Sequence, residues 1–480
     1  MRFPFLFVEG EPPNPMSPAM KRDVVIQNIL YGILLSAFLI LYFILSINSR
    51  LSADDFFFLN NLDAHGWWQS MLLSWHSWVT RWTSILWLNS IFSFYNLSGN
   101  FLFFHIVTLL MLVFALYRFS VFSMDFIIRN SAYKSPGLTA LADLPRHSRF
   151  AVSFLISFFI LTTGVGETFF WITSSAMYLW SFIAVCFLLA EVLRGEKSVS
   201  TLVVCVLTAA YIGGAAEAIA IPCFILLLLI LAFQLRKKML KPATAISIAV
   251  LFVSILISYS GEGRVLRQSA LPDISLLQSV TLNFRSFAQI ELYFLSEKFL
   301  FIILFFIAWM GFGAKLPFAL NVNFKLFAWV LGSYALLSFI FIFPSSYLLG
   351  EIPPLRARIF VGFLNCCLLA FAGVVTGAYF HRPLITSIIS SVAVIVLVVM
   401  VGKIAIEQKK ITTNYAVAVD KRMLFLKSFV YLGDNAPITL DPLPDSGMLL
   451  SSEISSNPTD FRNQHLKKYF GITNDIILKE

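Results

Sequence analysis

Charge is what this chain has least of. Asp, Glu, Lys and Arg make up only 13% of its 480 residues, against roughly 25% in a soluble domain. That deficit excludes a water-facing surface around a chain of this size. Cysteine is sparse as well. The five cysteines, Cys186, Cys205, Cys223, Cys366 and Cys367, all lie inside apolar stretches. They read as small buried hydrophobes, which excludes a disulfide framework and a zinc site. There is no Gly-rich phosphate loop and no RNA-binding motif. No internal repeat or long low-complexity segment is present either. Met1 to Met20 is polar and Pro-rich and lacks the pattern of a cleaved signal peptide, so the first apolar helix reads as an uncleaved anchor.

Apolar residues fill the space that charge leaves. The hydrophobic set accounts for 58% of the chain, and Phe alone occurs 50 times, often adjacent, as in Phe56-Phe57-Phe58 and Phe169-Phe170. A chain of this kind has its outer surface in lipid. The net charge of +9 then assigns Lys and Arg to short loops that orient the chain, and not to nucleic acid.

A spanning helix needs about 20 apolar residues, because roughly 30 Å of hydrocarbon is crossed at 1.5 Å per residue. About eleven stretches qualify, near 25–47, 99–121, 149–166, 175–193, 199–213, 216–235, 243–260, 293–313, 325–343, 358–379 and 384–402. The boundary inside 199–235 falls near Gly213-Gly214, and 149–166 is short. The fold class this predicts is an all-α integral membrane protein, a polytopic bundle of about eleven transmembrane helices. Residues 1–24 form a cytoplasmic N-terminal segment. Residues 25–402 form the membrane domain, with a long amphipathic outer loop at 48–98. Residues 403–480 form a small extracytoplasmic tail of soluble composition.

One set of connections is short and basic: Arg118 to Arg149 with Arg129, Lys134 and Arg146, then Arg194 to Lys197, Arg236-Lys237-Lys238 with Lys241, Lys315 with Lys325, and His381-Arg382. These are cytoplasmic by the positive-inside rule. The other set comprises 48–98, 166–175, 213–217, 261–292 and 345–358, and it is longer and more aromatic. That asymmetry predicts chemistry on the outer face. In the tail, Asp434, Asp441-Pro442, Pro444-Asp445 and Asn457-Pro458 signal turns. Tyr415 to Val419 and Ile438 to Leu440 read as short strands, and Phe461 to Tyr469 reads as a short helix.

The first outer loop carries most of the polar candidates. Ser52-Ala53-Asp54-Asp55 follows directly on the first span. Two adjacent carboxylates at a membrane boundary repel each other and are costly to bury. One reading is an N-cap for the helix starting at Phe56; the other is a catalytic base, and neighbours pointing about 100° apart can divide the two roles. From Trp67 to Leu88 the pattern predicts an interfacial helix. Trp68, Met71, Trp75, Trp78 and Trp82 form its apolar stripe, with Gln69, His76, Ser77, Thr80, Arg81 and Ser84 opposite. Glu167 and Glu217 stand at outer helix ends beside glycines, where an ionisable residue is either functional or simply interfacial. Arg356 and Arg358 follow Glu351-Ile352-Pro353-Pro354, and Arg264 and Arg267 lie one turn apart. These arginines either snorkel at helix ends or clamp a phosphate with their forked donors.

Taken in order, these pieces resemble the GT-C membrane glycosyltransferases, and more narrowly an uncharacterised bacterial family of GT-C-like polytopic membrane proteins. The pieces are Ser52-Ala53-Asp54-Asp55-Phe56, Trp78-Val79-Thr80-Arg81-Trp82-Thr83-Ser84, Trp171-Ile172-Thr173-Ser174-Ser175 with Tyr178, Glu217, Arg356-Ala357-Arg358, and Arg462-Asn463-Gln464 followed by Lys468-Tyr469-Phe470-Gly471-Ile472. They cover the chain end to end. Thr80 stands where some members carry Gly before the matching Arg, which leaves the role of Arg81 open.

The resemblance implies a glycosyltransferase in a bacterial inner membrane. It would move a sugar from a polyprenyl-phosphate-linked donor to an envelope saccharide, lipid or protein acceptor on the outer face. The transition state would be oxocarbenium-like, by analogy with glycoside chemistry. Asp54 or Asp55 would be the base. Arg356 and Arg358, with Arg264, would hold the donor phosphate, while His76, Arg81, Glu167 and Glu217 are further substrate-binding candidates. Some relatives in the wider class carry a divalent cation (Mg or Mn) on acidic residues; the sequence shows no ligand set for one. The alternatives are a transporter or flippase of lipid-linked saccharides, and a non-catalytic membrane protein. A transporter would place polar residues deep in several spans.

Overall fold

A computed structural model describes residues 6–7, 18–52, 54–77, 79–130, 144–195, 198–269, 274–314, 320–321, 324–380, 383–429 and 436–479. Trp78, Lys134, Glu196-Lys197, Lys315, His381-Arg382 and Asp434, all named above, lie outside these residues, as do most of 1–24 and the side chains of Arg129, Arg146, Arg267 and Lys325. The chain is an all-α, multi-pass membrane protein. Its first half comprises a two-residue strand β1 (Leu6–Phe7), then α1 (Pro18–Asn48), α2 (Asp54–Ser77), α3 (Trp82–Ser98), α4 (Leu102–Asn130), α5 (Leu144–Leu161), α6 (Ile172–Ser174), α7 (Trp180–Arg194), α8 (Val199–Ala215) and α9 (Glu217–Arg236). Next come α10 (Pro242–Tyr259), α11 (Glu262–Ser269), α12 (Leu276–Gly313), β2 (Leu320–Asn321), α13 (Phe324–Leu349), α14 (Ile359–Phe380) and α15 (Pro383–Phe429). The tail holds β3 (Ile438–Leu440), α16 (Phe461–Phe470) and β4 (Ile476–Leu478). Strand β1 pairs antiparallel with β2, and β3 parallel with β4.

Each of the apolar stretches read from the sequence falls in a helix, and among the described residues eight helices are long and apolar enough to cross a membrane. Two shorter apolar helices, Arg149–Leu161 and Val199–Ala215, lie beside them. The stretch 293–313 forms the second half of α12. The break in 199–235 falls at Ala216, whose extended backbone (φ −129°, ψ 128°) separates α8 from α9. Phenylalanine builds the centre of the bundle. Phe38 meets Phe159 edge to face at 5.1 Å, Phe158 stacks on Phe182 at 4.9 Å, and Phe182 meets Phe363 at 5.1 Å. Such pairs add about 0.5–1.5 kcal/mol beyond area burial, and they suit a core whose outer face is lipid.

Helices α1 and α15 pack side by side and run parallel. Gln27 donates to Ser387 at one end, Asn48 donates to Thr412 at the other, both at 3.0 Å, and Arg50 grips Asp420 through two bonds of 2.8 and 2.9 Å. The pairing shows why the last span does not stop at 402. Its helix continues beside α1 and then past it, as far as Phe429. Tyr415 to Val419, read from the sequence as a strand, belongs to this helix; Tyr415 and Val419, four residues apart, pack inward from one helix face while Val417 is exposed.

Polar contacts gather at two opposite ends of the bundle. At one end Arg118 pairs with Glu191, Thr201 donates to Glu191, Lys241 donates to the Leu193 carbonyl, and Gln27 meets Arg149. At the other end lie Asp54, Arg81, Glu167, Glu217 and the tail. The described residues of the two sets of connections are therefore also separated in space.

The region 67–88 departs from the single interfacial helix. Helix α2 is kinked at Gly66, which takes a left-handed conformation (φ 77°) that other residues rarely adopt. It then ends at Ser77, and Arg81 has non-helical backbone before α3 begins. The tryptophan stripe is split accordingly. Trp68 is exposed, while Met71 is buried and Trp75 packs inward. Thr80 and Ser84, placed by periodicity on the polar face, are buried. The break is what turns Arg81 into the protein.

The tail docks along the extension of α15. Gln408 accepts from the Met448 backbone at 2.7 Å, Tyr415 donates to the Leu450 carbonyl at 3.4 Å, and Arg422 pairs with Glu453 at 2.6 Å. The Ser452 N–H donates to the Ser52 hydroxyl at 3.1 Å, joining the tail to the start of α2.

Candidate functional site

The site is assembled where irregular backbone interrupts the helices. Residues 164–180 alternate between π-helical turns (Gly166–Phe170 and Ser175–Leu179) and a break at Trp171 (ψ 114°). Interrupted helices are tolerated at membrane depth only where protein covers the freed backbone groups, and π-turns recur at functional sites. Here the cover includes the tail: Gly166 lies directly under the backbone of Met448 to Leu450, where any side chain would collide.

The two adjacent carboxylates have separate environments. Asp55 is 0% exposed. Its Oδ2 accepts from the Ser52 N–H at 3.0 Å, and its Oδ1 accepts from the Thr173 N–H at 3.0 Å and the Thr173 hydroxyl at 2.6 Å. This is a helix cap extended into a tertiary pin, joining α2 to the turn at 171–174. Burial raises its carboxyl to about 7, the Thr173 and Ser52 bonds pull against that, and the Asp54 charge adds to it. Asp54 is also raised by burial, opposed by His465 in its protonated form and by the charges of Arg356 and Arg81. Both oxygens of Asp55 are thus committed, and Asp54 is the carboxylate that faces the cations.

Arg81 and Arg356 line a cleft of about 180 Å³ together with Tyr178, Glu217, Tyr259 and Arg264, and with the apolar Pro344, Leu348, Leu349 and Pro354. Arg81 donates to Glu217 at 3.2 Å, and its guanidinium lies 5.8 Å from the centre of the Tyr178 ring. The Glu217 charge holds the Arg81 guanidinium above its ordinary value, against burial. Glu217 is the first residue of α9, where the helix dipole favours an anion. Arg356 donates to Glu167 at 3.2 Å and sits 4.9 Å over the Trp171 ring. Arg264 stacks on Tyr259 at 4.0 Å and pairs with no carboxylate among the described residues. Guanidinium groups over aromatic faces gain cation–π attraction and keep donors free for an incoming anion.

Five of the residues picked out in the sequence, Arg81, Glu167, Glu217, Arg264 and Arg356, therefore meet here from five separate segments. Two do not join them. Arg358 donates to the Pro353 carbonyl at 2.8 Å, bracing the turn that presents Arg356. His76 is exposed and pairs with Glu262 at 3.3 Å. Three side chains at the site carried no role in the sequence reading. Tyr178 and Tyr259 are rings under the arginines. His465, on α16, packs on Phe57 with ring centres 5.0 Å apart. Its signal was the spacing of Phe461, His465 and Tyr469, which puts all three on one face of a short helix.

Each oxygen of Asp55 already accepts a hydrogen bond, and among the described residues no group of three or more His, Cys, Asp or Glu is arranged to hold a metal ion. No protein-family model matches this chain, and no curated protein matches it.

Proposed function

We propose that this chain is a GT-C-type glycosyltransferase that takes a sugar from a polyprenyl-phosphate-linked donor and passes it to an envelope saccharide, lipid or protein acceptor. The observation that supports this reading is the cleft: three guanidinium groups and apolar side chains of α13 line it together, and the half-buried Asp54 carboxylate lies within electrostatic reach of Arg81 and Arg356. A lipid phosphate is the ligand whose two halves match such walls.

In this reading Arg264 and Arg356 hold the phosphate, and Arg81 is held in place by Glu217. The anomeric C–O bond breaks, with its electron pair leaving on the phosphate oxygen. The acceptor oxygen bonds to the anomeric carbon, and its proton goes to Asp54. The leaving group is already an anion next to cations, so the step needs a base but no general acid. The finer topology belongs to the same proposal: about eleven spans in a bacterial inner membrane, the N-terminus in the cytoplasm, and the Asp54 loop and the tail outside.

The test is direct. Purified protein in lipid nanodiscs is given radiolabelled polyprenyl-phosphate sugars, and donor consumption is followed. Consumption that disappears in Asp54→Asn supports the reading. A panel of donors left intact by folded wild type overturns it. In cells, deletion of the gene should cause the lipid-linked donor to accumulate.

A further inference from the structure

We propose that Asn283, a fully buried amide on α12, is a positioning residue for the cleft: it holds α13 on both sides of Pro344 and so fixes where Leu348 and Leu349 stand. That these two leucines meet a lipid chain rests on the transferase reading; the geometry of the hold does not.

The hold answers a weakness in α13. Pro344 lies inside that helix. It has no N–H, so the Ile340 carbonyl loses its intrahelical donor and the helix is free to bend at that turn. In lipid, such a break persists where neighbouring helices supply polar partners. Helix α12 supplies them. Ser279, Asn283, Ser286 and Ile290 recur at spacings of three and four and lie on its buried stripe. Small polar residues on such a stripe let two helices approach closely. Asn283 Nδ2 donates to the carbonyl of Phe339, which precedes the proline, at 3.0 Å; the hydroxyl of Ser346, which follows it, donates to Asn283 Oδ1 at 3.2 Å. Helical carbonyls point toward the C-terminus and side chains lean toward the N-terminus, so one short amide reaches both at the level of the proline.

The two sides of Pro344 are held differently. Before it, apolar packing fixes α13: Phe339 lies on Phe284 with ring centres 4.9 Å apart, and Ile342 packs with Ile290 and Val361. After it, Ser345, Leu348 and Leu349 line the cleft, while Tyr347 points outward and is 46% exposed. A residue needed only to pack α12 on α13 would be served by Leu or Ala. An amide that donates on one side of a proline and accepts on the other sets the angle of the segment beyond it. Asn283 does not line the cleft. It acts through the wall that it holds.

Two measurements test the hold. In the first, a nitroxide is attached at Tyr347→Cys in a cysteine-free background, and its mobility is read by electron paramagnetic resonance in lipid nanodiscs. Ser346→Ala and Asn283→Leu should each loosen the label, and adding Pro344→Ala, which restores the N–H, should tighten it again. Should Asn283→Leu fail to fold, Ser346→Ala decides, because it removes one hydroxyl and keeps the Phe339 bond. A label unmoved by Ser346→Ala overturns the proposal. So does a loosening that Pro344→Ala leaves undiminished, which would reduce the amide to ordinary glue between helices. In the second, donor consumption is followed with a short-chain and a long-chain polyprenyl-phosphate sugar. Ser346→Ala should raise KM for the long-chain donor about fivefold, the equivalent of one neutral hydrogen bond of about 1 kcal/mol, and leave kcat and the short-chain KM in place. Equal changes for both donors, or a loss in kcat alone, would overturn the role in positioning the wall. A label that loosens as expected in a protein that consumes no lipid-linked donor would uphold the hold and sink the transferase reading.

Discussion

Replacing Asp55 with Ala strands three buried donors: the Ser52 N–H, the Thr173 N–H and the Thr173 hydroxyl. Each buried donor left without an acceptor costs about 1–3 kcal/mol, and neighbours in one network are not additive. The loss should therefore be about 3–6 kcal/mol, a large part of the 5–15 kcal/mol that holds a typical domain together. Asp55→Asn is milder. Its remaining oxygen still serves Thr173, while the amide NH₂ meets the Ser52 N–H donor to donor, so one bond is lost, at about 1–3 kcal/mol. Burial adds a pH signature. The folded-state carboxyl is raised from 3.8 to about 7. A raised value means that the folded state favours the protonated form. The stability Asp55 contributes is then fully present below about 3.8 and is lost as pH rises through about 7. The gap between wild type and Asp55→Asn should narrow over that window. The assay is unfolding in mixed micelles followed by tryptophan fluorescence at several pH values, with Asp54→Asn as the companion variant. Asp55→Ala as stable as wild type would show that the pin carries no load. Parallel wild-type and Asn curves from pH 4 to 8 would refute the pH argument.

Asp54→Asn should unfold like wild type yet turn over at least about 100-fold more slowly, the lower end of what a general base contributes; near-normal donor consumption would assign Asp54 to structure. Arg81→Ala leaves Glu217 inside the protein without its cation and should cost about 3–5 kcal/mol, whereas Arg81→Met combined with Glu217→Gln should recover much of it; a double variant as unstable as Arg81→Ala would count against the pairing. Arg264→Gln should weaken binding of the lipid phosphate about tenfold with stability unchanged, because Arg264 has no ion pair to lose among the described residues and a charge-assisted bond contributes about 1.5–3 kcal/mol; a binding isotherm that superimposes on wild type would remove Arg264 from the clamp. Single cysteines replacing Lys238 and the exposed Thr439 in a cysteine-free background report the proposed orientation: an impermeant thiol reagent on intact spheroplasts should label position 439 and spare 238.

The helices were legible because lipid imposes a length and an apolar composition that can be counted along the chain. The polar ends were legible for the same reason: charge has nowhere else to go. What could not be read was which polar residue faces which. Asp54 and Asp55 are indistinguishable in sequence, and only the approach of Thr173, more than a hundred residues away, decides that Asp55 is occupied. Arg356 and Arg358 stood as equals, yet the turn after Pro354 sends one to Glu167 and the other to a backbone carbonyl. The tryptophan periodicity predicted a continuous helix from Trp67. Periodicity reports local preference only, and the need to bring Arg81 to Glu217 breaks the helix. His465 was missed because the ring it packs on, Phe57, sits about four hundred residues earlier.

The attachment of the tail to α15 has a consequence for how this chain can vary. Gln408, Tyr415 and Arg422 hold Met448, Leu450 and Glu453 in turn, and they recur every seventh residue, two helical turns apart. The helix thus serves as a ruler with marks about 10 Å apart, and the tail is cut to match it. One residue inserted between Gln408 and Arg422 would rotate the later mark by about 100° and carry it off the face that the tail reads. Seven residues would restore the phase to within about 20° but lengthen the ruler past the segment that spans it. Helix α15 beyond the level of Thr412 should therefore tolerate substitution along its outer faces and resist any change of length, because its phase is what delivers α16 to α2.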